Sequence, residues 1–94
     1  MYVLNVYYYA KQGKREEFLK RIYEANIPQL CREESGNIQY DYFVSRDSEN
    51  VILIAEKWED KESQIRHCEA SHIKTLAAIK SECIEDTVIE TYNG

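Results

Sequence analysis

Tyr2-Val3-Leu4-Asn5-Val6-Tyr7-Tyr8-Tyr9 opens the chain with a run that is apolar or aromatic at every position except Asn5. Aromatic and β-branched residues without a breaker predict a strand. Because side chains alternate along a strand, the even-numbered residues share one face and the odd-numbered residues the other. Both faces are apolar, so both need a cover. Helices can cover one face of a small sheet, and we expect a second copy of the chain to cover the other.

The rest of the chain alternates between helical and strand patterns. Pro28 lacks an N–H group and predicts a kink or a split of the first helix near residues 25–27. Asp60 is a predicted N-cap. The predicted elements after the first strand are a helix at 14–32, strands at 38–45 and 51–58 joined as a hairpin, helices at 61–68 and 71–82, and a strand at 84–92.

This order, βαββαβ, is that of the ferredoxin-like α+β fold, in which helices lie on one face of an antiparallel sheet. The 94 residues have room for one domain, residues 1–94. A core of this size is marginal in a monomer. With apolar residues on both faces of the sheet, a twofold homodimer is the expected assembly.

Charge and composition exclude several classes of partner. The net charge is −5, and the densest basic stretch, residues 11–21, is interrupted by Glu16 and Glu17, so no nucleic-acid surface is expected. No segment approaches the roughly 20 apolar residues of a membrane span, and no signal peptide is recognised. Three cysteines, an odd number, are expected to be reduced and buried in a cytoplasmic protein. They are Cys31, Cys68 and Cys83.

Reactive side chains concentrate late in the chain. Strand periodicity places Glu56 and Trp58 on one face at the end of the third strand. His67 follows near the end of a short helix, and His72 begins the next helix. We therefore expect a carboxylate, an indole and two imidazoles near one end of the sheet, where a pocket between sheet and helices would hold them.

Three motifs carry a family resemblance. Ser35-Gly36-Asn37-Ile38-Gln39-Tyr40, then Glu56-Lys57-Trp58, then His67-Cys68-Glu69-Ala70-Ser71-His72 occur in an order that resembles the antibiotic biosynthesis monooxygenase superfamily. Within it, the pattern is most similar to the small quinol monooxygenase and autoinducer-processing group. The resemblance implies a dimeric α+β barrel whose pocket oxidises a small quinol or phenol with dioxygen, without metal or flavin.

The resemblance and the chemistry of the side chains together suggest roles. Imidazole transfers protons at neutral pH, so His67 is the expected general base or oxyanion partner. Glu56 is the second expected catalytic residue, orienting an imidazole, unless it pairs with Lys57 or Arg66. The alternative for His67 is a packing or capping role in its helix. The expected substrate-binding residues, each of which could instead serve packing, a strand contact or a helix start, are Asn5, Tyr40, Trp58 and His72.

No cofactor is expected. His67 and His72 would point about 140° apart on a continuous helix, and no third or fourth metal ligand is evident. Haem-degrading relatives also resemble this chain in an asparagine early in the first strand. However, His67 stands at their tryptophan position and the position of their iron ligand falls near Ala77, which argues against haem.

Two other functions remain open. Autoinducer-processing relatives isomerise a phosphorylated ketone, and such a substrate would need an anion clamp, for which Lys57, Arg66 or Lys74 are candidates. A dimeric module that stores or carries a hydrophobic ligand without turnover is the non-enzymatic alternative.

Overall fold

The computed structural model describes residues 1–93 and contains four strands and four helices. The strands pair in the order β2-β3-β1-β4, and every pair is antiparallel. This confirms the ferredoxin-like α+β fold. The elements are β1 (Tyr2–Ala10), α1 (Arg15–Glu24), α2 (Ile27–Arg32), β2 (Asn37–Val44), β3 (Val51–Trp58), α3 (Lys61–Cys68), α4 (Ser71–Cys83) and β4 (Ile84–Asn93).

The first helical segment is split, as Pro28 predicts. Helix α1 ends at Glu24, and Asn26 adopts a left-handed conformation with φ of 59°. Asparagine tolerates that conformation better than most residues. Pro28 then lies in the first turn of α2, where its missing N–H group has no helical partner to lose.

The core lies between one face of the sheet and the helices. Burial alternates along β1 and β3, and the even-numbered residues of both strands face the helices. Phe18 and Ile22 of α1 and Leu76 and Ile79 of α4 pack against this face. The sheet residues of the core include Leu4, Val6, Tyr8, Ala10, Tyr40, Ile52, Ile54 and Trp58.

The opposite face of the sheet carries an apolar row that crosses all four strands. Phe43 pairs with Leu53, Leu53 with Tyr7, and Tyr7 with Val88. Phe43 is 50% exposed and Val88 is 43% exposed. The two-sided apolar character predicted for β1 therefore extends across the sheet.

The cysteines are not all buried as predicted. All three are free, and Cys31 and Cys83 are buried, but Cys68 is exposed. The cause is helical geometry: His67, the preceding residue, is the one that α3 buries, and neighbouring residues are rotated by about 100°. Within residues 1–93, no helix is long and apolar enough to cross a membrane.

A glycine lets the α2–β2 loop press against the start of α3. Gly36 has φ of +86°, and a Cβ atom there would overlap the side chain of Ser63. The carbonyl oxygen of Gly36 accepts a hydrogen bond of 2.8 Å from the Glu59 N–H group. The Ser63 N–H group donates to the Asp60 carboxylate at 2.9 Å, which confirms the predicted N-cap. These contacts hold the loop beside α3.

Replacing Gly36 by alanine tests this contact. Gly36→Ala is expected to lower the free energy of unfolding by about 2–4 kcal/mol, because it adds a left-handed penalty and an overlap with buried Ser63. Gly13→Ala is the matched control: Gly13 also has a positive φ, but its Cβ would meet nothing within 4 Å. The control should lose only about 1 kcal/mol. Equal losses in urea denaturation would contradict the account.

Candidate active site

Strand pairing brings distant segments to one end of the sheet. Asn37, the first residue of β2, pairs with Trp58, the last residue of β3. The loop before β2 therefore lies beside the end of β3, and α3 begins at Lys61 close by. The turn between α3 and α4 returns to the same place. Glu34 in the loop meets His67 and His72 there.

The Glu34 carboxylate bridges the two histidines. Its Oε2 atom lies 2.8 Å from His67 Nδ1 and 2.7 Å from His72 Nε2. The three side chains are 15%, 7% and 16% exposed, respectively, so the cluster is shielded from bulk water. Hydrogen bonds to a charged acceptor in such surroundings are stronger than those between neutral groups. This bridge joins the loop before β2 to both α3 and α4.

The bridge assigns the tautomer of His67. A carboxylate only accepts hydrogen bonds, so Nδ1 of His67 carries the proton and donates it to Glu34. In neutral imidazole this leaves Nε2 as the acceptor. Nε2 has no hydrogen-bond partner among residues 1–93, whereas every fully buried side-chain nitrogen or oxygen there has one. Nε2 therefore keeps accessible surface, and the surface His67 presents lines a cavity.

Two aromatic rings hold the imidazole of His67 in place. The Trp58 ring lies 4.7 Å from it, centroid to centroid, and the Tyr40 ring 5.6 Å. Trp58 is fully buried and Tyr40 nearly so. Tyr40 shares a hydrogen bond of 3.1 Å with the Tyr42 hydroxyl. With two aromatic rings against it and Nδ1 engaged by Glu34, the buried His67 ring has little freedom to rotate.

Glu56 is buried beside the cavity without a cationic partner within residues 1–93. Trp58 Nε1–H donates to its carboxylate at 3.1 Å. Burial raises the pKa of Glu56, an effect that the nearby imidazole of His67 partly offsets. Neither Lys57 nor Arg66 forms the salt bridge considered from the sequence: Arg66 donates to Ser63 instead. The carboxylate that orients His67 is that of Glu34.

The cavity lies between the sheet and helices α3 and α4. Its volume is about 170 Å³. For scale, an engineered cavity of about 150 Å³ admits benzene. Most of the wall is aliphatic or aromatic, and a few polar groups converge on it. The residues of the wall are Leu4, Val6, Tyr8, Tyr40, Glu56, Gln64, His67, Cys68, Ile73, Leu76, Ala77, Lys80, Thr87 and Ile89.

Lys80 places a cation at the cavity. Its Nζ atom lies 4.4 Å from the centroid of the Tyr8 ring, and burial lowers the pKa of Lys80. Burial likewise raises the pKa of Tyr8 and of Tyr40, so both phenols stay protonated at neutral pH. The cavity thus combines one imidazole, one half-buried ammonium group and uncharged phenols.

The predicted site residues separate into three groups. Tyr40, Glu56 and His67 line the cavity. Trp58 and His72 lie behind this wall, one packed on His67 and the other bonded to Glu34. Asn5 lies elsewhere. It pairs with Ala55 and Glu90 on the other face of the sheet, away from the cavity-lining Leu4 and Val6.

The basic residues considered for an anion clamp do not line the cavity. Lys57 lies on the face of β3 that the helices leave uncovered, and Arg66 and Lys74 are exposed on the helices. The basic residue that does line the cavity is Lys80. Sequence reasoning missed it because it considered only residues near the motifs, whereas helix α4 carries Lys80 back along the sheet to Tyr8.

The separation of about 140° between the two histidines applies only to a continuous helix, and the structure has two helices here. Helix α3 ends at Cys68 and α4 begins at Ser71, so the two imidazoles turn toward each other. Cys31 and Glu34 supply two further donor atoms. The four donor atoms of Cys31, Glu34, His67 and His72 lie within 4.8 Å of one another. Burial raises the pKa of the Cys31 thiol to about 12.

Glu34 also escaped sequence reasoning, although a signal for it exists. It stands in the charged run Arg32-Glu33-Glu34, which is typical of a solvated helix end. The glycine turn that follows leads directly into β2, and a hairpin places the start of β2 opposite the end of β3. A residue just before that turn must therefore approach Trp58 and the histidines.

Comparison with known proteins gives a consistent result. The model of the family "Antibiotic biosynthesis monooxygenase" matches residues 1–78. The chain is 37% identical over 84 residues to "Putative monooxygenase YcnE" of Bacillus subtilis (strain 168), covering 89% of this chain and 86% of that protein.

Solved structures of similar fold support the same family. "Putative antibiotic biosynthesis monooxygenase from Nitrosomonas europaea" is 26% identical with a TM-score of 0.89, covering 100% of this chain and 98% of that one. Protein SO0527 from Shewanella oneidensis is 30% identical with a TM-score of 0.83, covering 97% and 87%, respectively. The resemblance seen in the motifs is thereby confirmed, and the chain belongs to the antibiotic biosynthesis monooxygenase family.

Proposed function

We propose that the protein is a monooxygenase that oxidises a small, single-ring quinol or phenol with dioxygen and needs no cofactor for this step. The observation that carries the proposal is the orientation of His67, which lines the cavity and whose Nδ1 bonds Glu34, while its Nε2 has no hydrogen-bond partner within residues 1–93. Family membership supports the reaction class. The cavity volume of about 170 Å³ is sufficient for one aromatic ring.

The first step is removal of a hydroxyl proton from the substrate. Nε2 of His67 accepts this proton, and the Glu34 carboxylate stabilises the imidazolium that results. Tyr40 and Trp58 keep the ring in position while its charge changes. A base held in this way contributes about 10²–10⁴ in rate.

The second requirement is stabilisation of the substrate anion. Lys80 borders the same cavity, and a cation in a water-poor site stabilises an anion more strongly than it would in water. The aliphatic wall formed by Leu4, Val6 and Leu76 keeps water from the anion. Together, His67 and Lys80 favour the anionic form of the substrate, which is the form that reacts with dioxygen.

The electron balance requires no external reductant. A quinol anion transfers one electron to dioxygen, and recombination of the two forms a bond between oxygen and a ring carbon. Loss of water then leaves a hydroxyquinone. One quinol and one dioxygen give one hydroxyquinone and one water, so the substrate supplies all four electrons that dioxygen takes up.

Substitution of His67 tests the base. Metal-free His67→Ala is expected to consume oxygen about 10²–10⁴ times more slowly than the native chain with the best substrate of a quinol panel, and added imidazole should restore part of the rate. His72→Ala is the matched control, because His72 also bonds Glu34 but does not line the cavity. Its rate should fall less than tenfold. An unchanged rate in His67→Ala would exclude the base.

The same panel separates the alternative functions. Product formation from a phosphorylated ketone under strict anaerobiosis would favour an isomerase. Lys80, however, is the one Lys or Arg lining the cavity within residues 1–93, and a phosphate usually needs several donors. A small molecule retained in native mass spectrometry, with no turnover of any compound, would favour a carrier instead.

Glu56 is a buried carboxyl group in the cavity wall, and its hydrogen-bond partner is Trp58 rather than His67. Because burial raises the pKa of Glu56 above its ordinary value of 4.5, the folded state binds this proton more tightly than the unfolded state. The stability contributed by Glu56 is therefore present at acid pH and is lost as pH rises through the raised pKa. Ionisation of Glu56 at neutral pH therefore lowers the free energy of unfolding.

Replacing Glu56 by glutamine should remove this loss. Glu56→Gln keeps an oxygen that can accept from Trp58 but cannot ionise, so its melting temperature should exceed that of the native chain at pH 7 and approach it near pH 4. The exposed Glu49→Gln is the control and should show no such convergence. Scanning calorimetry across this range provides the measurement. A melting temperature of Glu56→Gln below the native value at pH 7 would contradict this account.

We also propose that two copies pair through the uncovered sheet face to form the barrel. The row Phe43–Leu53–Tyr7–Val88 is continuous in register across the sheet, and two such faces can pack together as in a sandwich. A contiguous apolar surface of this kind is unusual on a monomer. A second copy offers the same row about a twofold axis, so it is the occupant that the face fits.

A charge on this face should separate the copies. Val88→Asp is expected to sediment as a monomer at micromolar concentration, whereas the native chain sediments at twice the chain mass. Ile65→Asp is the matched control: Ile65 is also apolar and 46% exposed, close to the 43% of Val88, but it lies on α3. It should remain dimeric. A folded native monomer would refute the barrel.

A further inference from the structure

We propose that Cys31, Glu34, His67 and His72 form a binding site for one tetrahedral transition-metal ion, and that Zn²⁺ is the ion these ligands fit. The four donor atoms come from four different segments, namely α2, the α2–β2 loop, α3 and α4. All of them lie within 4.8 Å of one another. Convergence of this kind is not a consequence of local sequence spacing.

The donor set selects the class of ion. One thiolate, one carboxylate and two imidazoles are ligands typical of zinc and of neighbouring divalent metals, whereas magnesium and calcium prefer oxygen alone. Four protein ligands fill a tetrahedral shell, which is typical of sites that hold an ion without performing chemistry on it.

Charge favours occupancy of this buried place. A divalent cation with one thiolate, one carboxylate and two neutral imidazoles has a net charge of zero, which is the least costly state for a site shielded from water. The thiol proton of Cys31 leaves to solvent when the thiolate binds. The two imidazole protons move to the ring nitrogens that do not bind the ion.

The geometry requires only small movements. Metal–ligand distances of about 2.0–2.3 Å place the donor atoms of a tetrahedral site about 3.3–3.8 Å apart. The present separations extend from the 2.7 Å between Glu34 and His72 to the upper limit of 4.8 Å. Glu34 must withdraw slightly from both rings, and the donor atoms that are farthest apart must approach each other by about 1 Å.

Occupancy would also change the role of His67. An ion on Nδ1 takes the lone pair of that nitrogen, so the ring proton must sit on Nε2, the nitrogen that faces the cavity. His67 then donates to the cavity and can no longer accept a proton from the substrate. Zn²⁺ would therefore arrest the oxygenase, a consequence that rests on the proposed function, whereas the metal site itself does not.

Cobalt reports the site without any assay of activity. One equivalent of Co²⁺ added to the metal-free chain should give the intense visible bands of a tetrahedral ion together with a thiolate-to-cobalt charge-transfer band, and Zn²⁺ should abolish both. Cys31→Ala should lose the charge-transfer band. Cys83→Ala is the matched control, because Cys83 is the other buried cysteine and bonds to Glu17 far from the cluster; it should keep the band.

Two spectral results would overturn the site. One is absence of the charge-transfer band in the native chain, and the other is its persistence in Cys31→Ala, which would assign the thiolate to the exposed Cys68 instead. His72→Ala supplies a further check and should weaken Co²⁺ binding at least tenfold, because it removes one of four ligands. Unchanged affinity in this variant would also contradict the site.

Oxygen uptake then tests the arrest separately. One equivalent of Zn²⁺ should lower the rate of oxygen uptake by the native chain to that of His67→Ala, and a chelator should restore the native rate. The rate of Cys31→Ala should not fall when Zn²⁺ is added. A cobalt spectrum as expected with no effect of Zn²⁺ on uptake would overturn the arrest and leave the site standing. If the metal-free native chain oxidises no quinol, the proposed function fails and the cobalt spectrum alone decides the site.

Discussion

The carboxylate of Glu34 is the interaction on which the site depends. It lies between two imidazoles, at 2.8 Å and 2.7 Å, and so connects the loop before β2 to both α3 and α4. A charge in so shielded a place persists only if its hydrogen-bonding capacity is satisfied. The same two bonds fix the orientation of His67 and bring together three of the four donor atoms of the proposed ion site. One contact thus contributes to the packing of three segments, to the tautomer of the proposed base and to the proposed ion site.

The fold was largely predictable from the sequence because the signals that specify it are local. Apolar runs rich in aromatic or β-branched residues predict the strands at 2–9 and 51–58, a helical pattern predicts the helix at 14–32, and Pro28 divides that helix. The apolar residues on both faces of β1 anticipated a row that crosses the whole sheet. The exposure of Cys68 was not anticipated, because which side of a short helix faces the sheet is set by tertiary packing.

The site was predicted only in part, because its geometry depends on long-range pairing. Glu56, His67 and Tyr40 were identified from motif and strand periodicity and do line the cavity. Glu34 and Lys80 were missed: one stands in a charged helix end and the other on a helix face far from the motifs. Both reach the site through the pairing of β2 with β3 and the path of α4 along the sheet. Neither relation is visible in the spacing of residues along the chain.

The orientation of His67 is the central claim, and nitrogen NMR of the metal-free chain tests it most directly. The chain has two histidines, so a long-range proton–nitrogen spectrum, with His72→Ala for assignment, resolves each imidazole. When the rings are neutral, the account predicts that His67 carries its proton on Nδ1 and leaves Nε2 unprotonated. A proton on Nε2 in the metal-free chain would contradict the bond to Glu34 and remove the base from the cavity.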